Sequence, residues 1–124
     1  MFGAGSNASI YLCRRAVDMR KSFDGLCGEV TEFMQRDPVS GDYFVFINKR
    51  SDMLKILVWD RHGFWIIAKR LEEGRFRVPL DGVVDTAIQW DELVCIIEGI
   101  DIRSVRRQKR FSLEKRKYSL TIRS

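Results

Sequence analysis

At 124 residues, with 45% hydrophobic and 11% aromatic side chains, the chain fits one folded domain with a modest core and is not of disordered composition. No run reaches the roughly 18 apolar residues that a membrane helix needs. Met1–Ala8 has no basic segment ahead of an apolar one, so a signal peptide is not expected and a cytoplasmic location is. The net charge of +5 is uneven: residues 102–124 hold nine basic side chains and one acid, a net of +8, which leaves the first 101 residues at −3.

Ser9–Cys13 reads as a short strand at a sheet edge, with Ile10 and Leu12 on one side. Asp18 is placed to cap a helix whose apolar face is Met19, Phe23, Leu26, Cys27, Val30, Phe33 and Met34. Gly25 and Gly28 weaken that helix, and their spacing predicts the close approach of another backbone. Asp37-Pro38 is the expected stop, because a residue before proline avoids the helical region.

Four apolar runs follow: 43–47, 54–59, 64–71 and 75–79. They are rich in aromatic and β-branched side chains and are separated by Asn48–Asp52, Asp60–Gly63 and Glu72–Gly74. Short polar loops of this kind predict antiparallel hairpins. After the Asp81-Gly82 turn, Val84–Ile88 reads as a further strand. Trp90, Leu93, Val94 and Ile97 then mark a second amphipathic helix, with Gly99 at its C′ position and Ile100 available for a Schellman contact. The expected fold is α+β: an antiparallel meander of about four to six strands packed with two amphipathic helices over residues 1–101. A basic C-terminal tail, 102–124, is either disordered or ordered by a partner.

Nucleic-acid contact is the functional reading that the cations support. Arg103, Arg106, Arg107, Lys109, Arg110, Lys115, Arg116 and Lys117 form a dense basic segment able to neutralise phosphates, beside the plainer reading of a solvated tail. Lys49 and Arg50 sit in a hairpin loop from which they can reach a phosphate. Alternation puts Lys55, Leu57 and Trp59 on one side of their strand, Trp65, Ile67 and Lys69 on one side of the next, and Arg75 with Arg77 on one side of the last. On an open sheet face such aromatics between cations hold single strands by stacking; otherwise Trp59 and Trp65 are core and the lysines snorkel to water. Arg20 and Lys21 open a helix, and Arg14 and Arg15 precede it, as weaker hints of the same kind.

Catalytic chemistry finds little support. His62 is the sole histidine and lies in a turn. Asp18, Asp24, Asp37, Asp52, Asp60 and Asp101 fall mostly where caps and turns favour aspartate, so a two-metal nuclease is the least favoured reading. Cys13, Cys27 and Cys95 have neither metal nor redox spacing and read as buried free thiols. No phosphate loop or zinc spacing is present, so no cofactor, metal or catalytic residue is expected.

Several stretches, in order, resemble the Orf2-like (TnpB) accessory protein of insertion-sequence family sixty-six. They are Asp18-Met19-Arg20-Lys21-Ser22-Phe23-Asp24-Gly25-Leu26, Asp37-Pro38-Val39-Ser40-Gly41 and Phe44-Val45-Phe46-Ile47-Asn48-Lys49-Arg50. Lys55-Ile56-Leu57-Val58-Trp59-Asp60, Lys69-Arg70-Leu71-Glu72-Glu73-Gly74-Arg75-Phe76, Leu93 and Glu98-Gly99-Ile100-Asp101 continue the likeness, which spans about residues 9 to 107. Ser22 stands where the family often has Gly, and Gln89-Trp90 where a Thr-Pro helix start is common. The resemblance implies a protein encoded beside a larger transposase and needed for efficient transposition, with no catalytic residues to carry over. DNA, through the basic tail, and the transposase or another element-encoded protein are the implied partners. The alternative is a protein–protein adaptor without direct nucleic-acid contact, with Phe64, Trp65 and Trp90 as apolar anchors. Oligomeric state is left open.

Overall fold

The computed structural model describes residues 7–78 and 80–99. Its elements are β1 (Ile10–Cys13), α1 (Phe23–Gly28), β2 (Tyr43–Ile47), β3 (Met53–Asp60), β4 (Gly63–Arg70), β5 (Asp85–Ile88) and α2 (Trp90–Ile97). The five strands form one sheet in the order β4-β3-β2-β1-β5. The class is α+β, as expected, but the sheet is mixed. β1 pairs parallel with β2, while the β2–β3, β3–β4 and β1–β5 pairs are antiparallel. The physical reason is the connection between β1 and β2: about 30 residues containing α1 are long enough for the crossover that parallel strands require. Far from being an edge strand, β1 lies between β2 and β5.

All five β2 residues are buried, so the strand reads as an unbroken apolar run instead of alternating. Phe44 and Phe46 join Leu57, Leu26, Val30 and Met34 in a core on the α1 face. Tyr43, Val45 and Ile47 join Ile10, Leu12, Ile56, Leu93 and Ile96 in a second core on the α2 face. The sheet therefore separates two cores, with one helix on each side.

Residues 75–78 of the fourth run do not form a strand. Phe76 is buried in the α2-face core, with Leu71, Val78 and Leu80 packed partly beside it. At about 1.5 Å of rise per residue, α2 is only about 12 Å long and leaves sheet uncovered. These apolar side chains cover it by crossing the face instead of extending the ladder. Gly74, at φ +81, makes the turn that starts the crossing.

The first helix is also shorter than its apolar pattern. It starts at Phe23 after Ser22, because Asp18 closes an earlier turn: its Oδ1 accepts the Arg20 N–H at 2.9 Å. The Met19 and Lys21 carbonyls accept from Lys55 Nζ at 2.8 and 2.9 Å, so they point at a strand rather than along a helix. The helix runs on through one π-helical turn, Glu29–Phe33, where the Met34 amide reaches back five residues to Glu29 O. It ends at Phe33, and the φ of +58 at Gln35 prevents its continuation before Asp37-Pro38 is reached. No neighbouring backbone approaches Gly25 or Gly28: the contacts a Cβ would make at Gly25 are with the Lys21 side chain, and at Gly28 there are none.

The second helix matches its pattern closely. The Gln89 N–H donates to Glu92 Oε1 at its start, and Gly99, at φ +78, donates to Ile96 O at its end. Cys95 and not Val94 completes the buried stripe. Cys13 and Cys95 are buried free thiols and Cys27 is half-buried; burial pushes the Cys13 and Cys27 thiols up. Ile100 and the basic tail lie outside the described residues.

Candidate nucleic-acid interface

The loop of the β2–β3 hairpin is clasped by the Asn48 side chain. Asn48 Oδ1 accepts the amides of Asp52 and Met53, each at 3.0 Å, and its Nδ2 donates to Asp52 Oδ1 at 2.7 Å. The Asn48 carbonyl accepts from Ser51, which adopts a left-handed φ of +57. This clasp leaves Lys49 and Arg50 projecting from the tip, both exposed. Arg50 has one loose acidic neighbour, Asp52, at 3.9 Å.

Two further segments are fastened to this hairpin. The Phe76 amide donates to Ser51 O at 2.6 Å, which brings the flanking Arg75 and Arg77 alongside, both exposed. On the other side the Val17 amide donates to Ile47 O at 3.0 Å and carries residues 16–20 past the loop. Between residues 16–20 and the hairpin lies an open groove of about 930 Å³. Val17, Met19 and Met53 supply its apolar part, and Arg20, Lys49 and Arg50 its cations.

Arg20 is engaged with Asp18. Its guanidinium reaches both carboxylate oxygens, at 2.6 to 3.1 Å, while its side chain stays largely in solvent. Those hydrogen bonds hold the Asp18 carboxyl down at about 2 and raise the Arg20 guanidinium. Lys49, Arg75 and Arg77 have no acidic partner among the described residues.

The other expected site residues are placed differently. Lys55 lies on the α1 face and is bound to the Met19 and Lys21 carbonyls. Lys69 lies on the α2 face and donates to Ile97 O at 2.8 Å, satisfying a carbonyl at the helix end. They therefore share no footprint, and both faces of the sheet carry a helix. Trp59 stacks edge-on against Phe64, and Trp90 edge-on against Tyr43, at ring separations of 5.0 and 4.9 Å. Trp65 is half-exposed and donates to Asp60 at 3.3 Å. Arg103, Arg106, Arg107, Lys109, Arg110, Lys115, Arg116 and Lys117 lie outside the described residues.

Three other arginines hold the fold together. Arg14 binds Asp81 and Thr86, and Arg15 binds the buried Glu29 and lies over the Phe33 ring. Arg36 pairs with Asp85 and stacks on Tyr11. The residues that sequence reasoning passed over are Asn48, Met19 and Met53. The Asn48-to-Asp52 spacing is the available signal, since an asparagine ahead of a short loop is favoured for bonding to its own backbone. Among the described residues no group of three His, Cys, Asp or Glu side chains could hold a metal ion, and no helix is long and apolar enough to cross a membrane.

A five-stranded mixed sheet with a helix on each face and a clasped basic hairpin at one end defines a small α+β protein. Residues 8–107 match the family described as IS66 Orf2 like protein, and the chain belongs to that family. It is thus an accessory protein associated with insertion-sequence transposition. Two relatives come from Sinorhizobium fredii. The uncharacterized protein y4jC is 34% identical over 110 residues, covering 87% of this chain and 92% of the relative. The uncharacterized protein y4hO is 32% identical over 103 residues, covering 83% and 90%. No solved structure matches the chain. Two of the stretches that carry the family resemblance, one with Asp18-Met19-Arg20 and one with Asn48-Lys49-Arg50, line the two sides of the groove.

Proposed function

We propose that the protein is a non-catalytic DNA-binding factor of the transposition complex, with Lys49, Arg50, Arg75 and Arg77 contacting phosphates and the +8 segment 102–124 adding affinity. The observation that carries this reading is the clasped hairpin. Asn48 fixes the loop, the Phe76–Ser51 hydrogen bond brings two more arginines beside it, and none of the four cations has a close acidic partner among the described residues. Apart from the exposed Arg61 in the β3–β4 turn, the other described lysines and arginines are engaged with backbone carbonyls or carboxylates. Cations carried on a fixed backbone, with at most one loose acidic neighbour, suit a polyanion, because phosphate neutralisation releases counterions with little ordering cost in the protein.

The test is DNA binding by the full chain at several salt concentrations, using duplex from the element's end and a scrambled duplex. Each phosphate contact contributes a slope of about −0.9 in log K against log salt, so Lys49→Gln/Arg50→Gln should flatten the slope by about 2. Binding with no salt dependence, or none at all, overturns the proposal and leaves the adaptor reading. That alternative would draw on Trp65 and Ile67, because Phe64 and Trp90 are stacked within the fold.

A further inference from the structure

The two edges of the sheet are built differently. β5 has four residues and is guarded by charge: Asp85 is paired with Arg36, and Thr86 is bonded to Arg14. β4 has eight residues, and its stretch Gly63–Ala68 carries no charge at all. Long uncharged edges are what monomeric sheet proteins avoid, since their unpaired amides are templates for another strand.

The β3–β4 register shows which amides of β4 turn away from β3. The Leu71 amide donates to Asp52 O at 2.7 Å, which extends the ladder as a hydrogen-bonded pair. In an antiparallel ladder such pairs alternate, so Lys69, Ile67, Trp65 and Gly63 bond inward to β3. The N–H and C=O groups of Phe64, Ile66, Ala68 and Arg70 then point away from β3, and no strand lies beside them among the described residues.

We infer that β4 pairs antiparallel with β4 of a second copy of this chain, about a two-fold axis at Ile66. The charge distribution selects that occupant and that direction. Antiparallel pairing centred on Ile66 places Phe64 opposite Ala68 and sends the two Lys69-Arg70 ends to opposite extremes, whereas a parallel, in-register partner would stack them. It also sets Lys69 opposite Gly63 of the other copy. Gly63 has no side chain, and Asp60 stands next in that row on the same face, about 10 Å away at two strand spacings. The two-fold repeats this Lys69-to-Asp60 complementarity at both ends, as an isologous interface must. Ile67, 41% exposed, is buried in the joined sheet, which has ten strands and carries the two Asn48–Asp52 hairpins at its opposite ends.

The test is the solution mass of the full chain by light scattering and sedimentation across 1–100 µM. Twice the chain mass is expected at the upper concentrations. Ala68→Pro removes an outward N–H without touching the β3 ladder, and Ile67→Lys puts a charge at an already exposed position, so a folding failure in one does not silence the other. Each should weaken the dimer at least tenfold with the far-ultraviolet spectrum retained. A monomer at 100 µM overturns the inference, and so does a dimer that both folded variants leave unchanged.

Discussion

Lys55 Nζ lies 2.8 Å from the Met19 carbonyl and 2.9 Å from that of Lys21, joining β3 to the turn that precedes α1. A charged donor that satisfies two carbonyls contributes more than a neutral one, and its loss leaves both acceptors to find water. Lys55→Met, which keeps the aliphatic stem, should cost about 1–3 kcal/mol of unfolding free energy by urea denaturation. The same change should leave the salt slope of DNA binding intact, because the ammonium is committed to the fold. A flattened slope in a stable Lys55→Met protein would return Lys55 to the interface.

Asn48 offers a cleaner separation of structure from contact, since it makes three side-chain hydrogen bonds and carries no charge. Asn48→Ala should destabilise the protein by about 1–2 kcal/mol and free the Asp52 and Met53 amides. Hydrogen exchange at those two amides should rise well above that of the β3 interior. DNA affinity should fall although no cation has been removed, because Lys49 and Arg50 must then be ordered on binding. An unchanged affinity would show that the clasp does not preorganise the loop.

The hairpins of β2, β3 and β4 were legible because aromatic and β-branched runs alternate with loops too short for a crossover. The second helix was legible from Trp90, Leu93 and Ile97, with Gly99 at its end. Two things were not. Which strand pairs with the four residues of β1 is decided by long-range packing, so neither the parallel pairing with β2 nor the interior position could be read locally. Phe76 and Val78 alternate like a strand, yet they cover the sheet face that the short α2 leaves open. Alternation within β3 and within β4 was read correctly, but their relative register could not be fixed without the strand pairing. Lys69 pairs with Leu54, while Lys55 pairs with Ala68, and an offset of one residue exchanges faces. The apparent stripe of Lys55 and Lys69 was therefore two lysines on opposite sides. At the groove, Lys49 and Arg50 were visible as loop cations, whereas the part played by Met19 and Arg20 depended on where the first helix began.

Asp18 supplies a pH test of the turn that displaces the helix start. Hydrogen bonds from the Arg20 side chain, then from its amide, lower the Asp18 carboxyl from the usual value near 3.9 to about 2. Because the folded value lies below the unfolded one, this interaction stabilises the fold fully above about pH 4 and is lost as pH falls through about 2. Carboxyl resonances followed by NMR should show an Asp18 midpoint near the low value in the native chain. Arg20→Ala should move that midpoint up towards the ordinary range. A midpoint that ignores Arg20 would mean that the pair is not formed in solution.

Gly25 and Gly28 separate two meanings of a helical glycine. Gly28 has helical angles, φ −61 and ψ −41, and a Cβ there would meet nothing within 4 Å. Gly28→Ala should therefore raise stability by about 0.5–1 kcal/mol, by restricting the unfolded chain and improving helix propensity. At Gly25 a Cβ would lie 2.9 Å from Lys21 Cβ, which is not the free end of a flexible side chain. Lys21 is itself held, by Lys55 at its carbonyl and by Glu29 at 3.5 Å from its ammonium. Gly25→Ala should accordingly lose its propensity gain to displacement of Lys21 and come out neutral or destabilising. Urea midpoints of the two variants, at unchanged m-value, decide the matter. Equal stabilisation by both would mean that the Lys21 turn yields freely, and the Lys55 anchor would then have little hold on the start of α1.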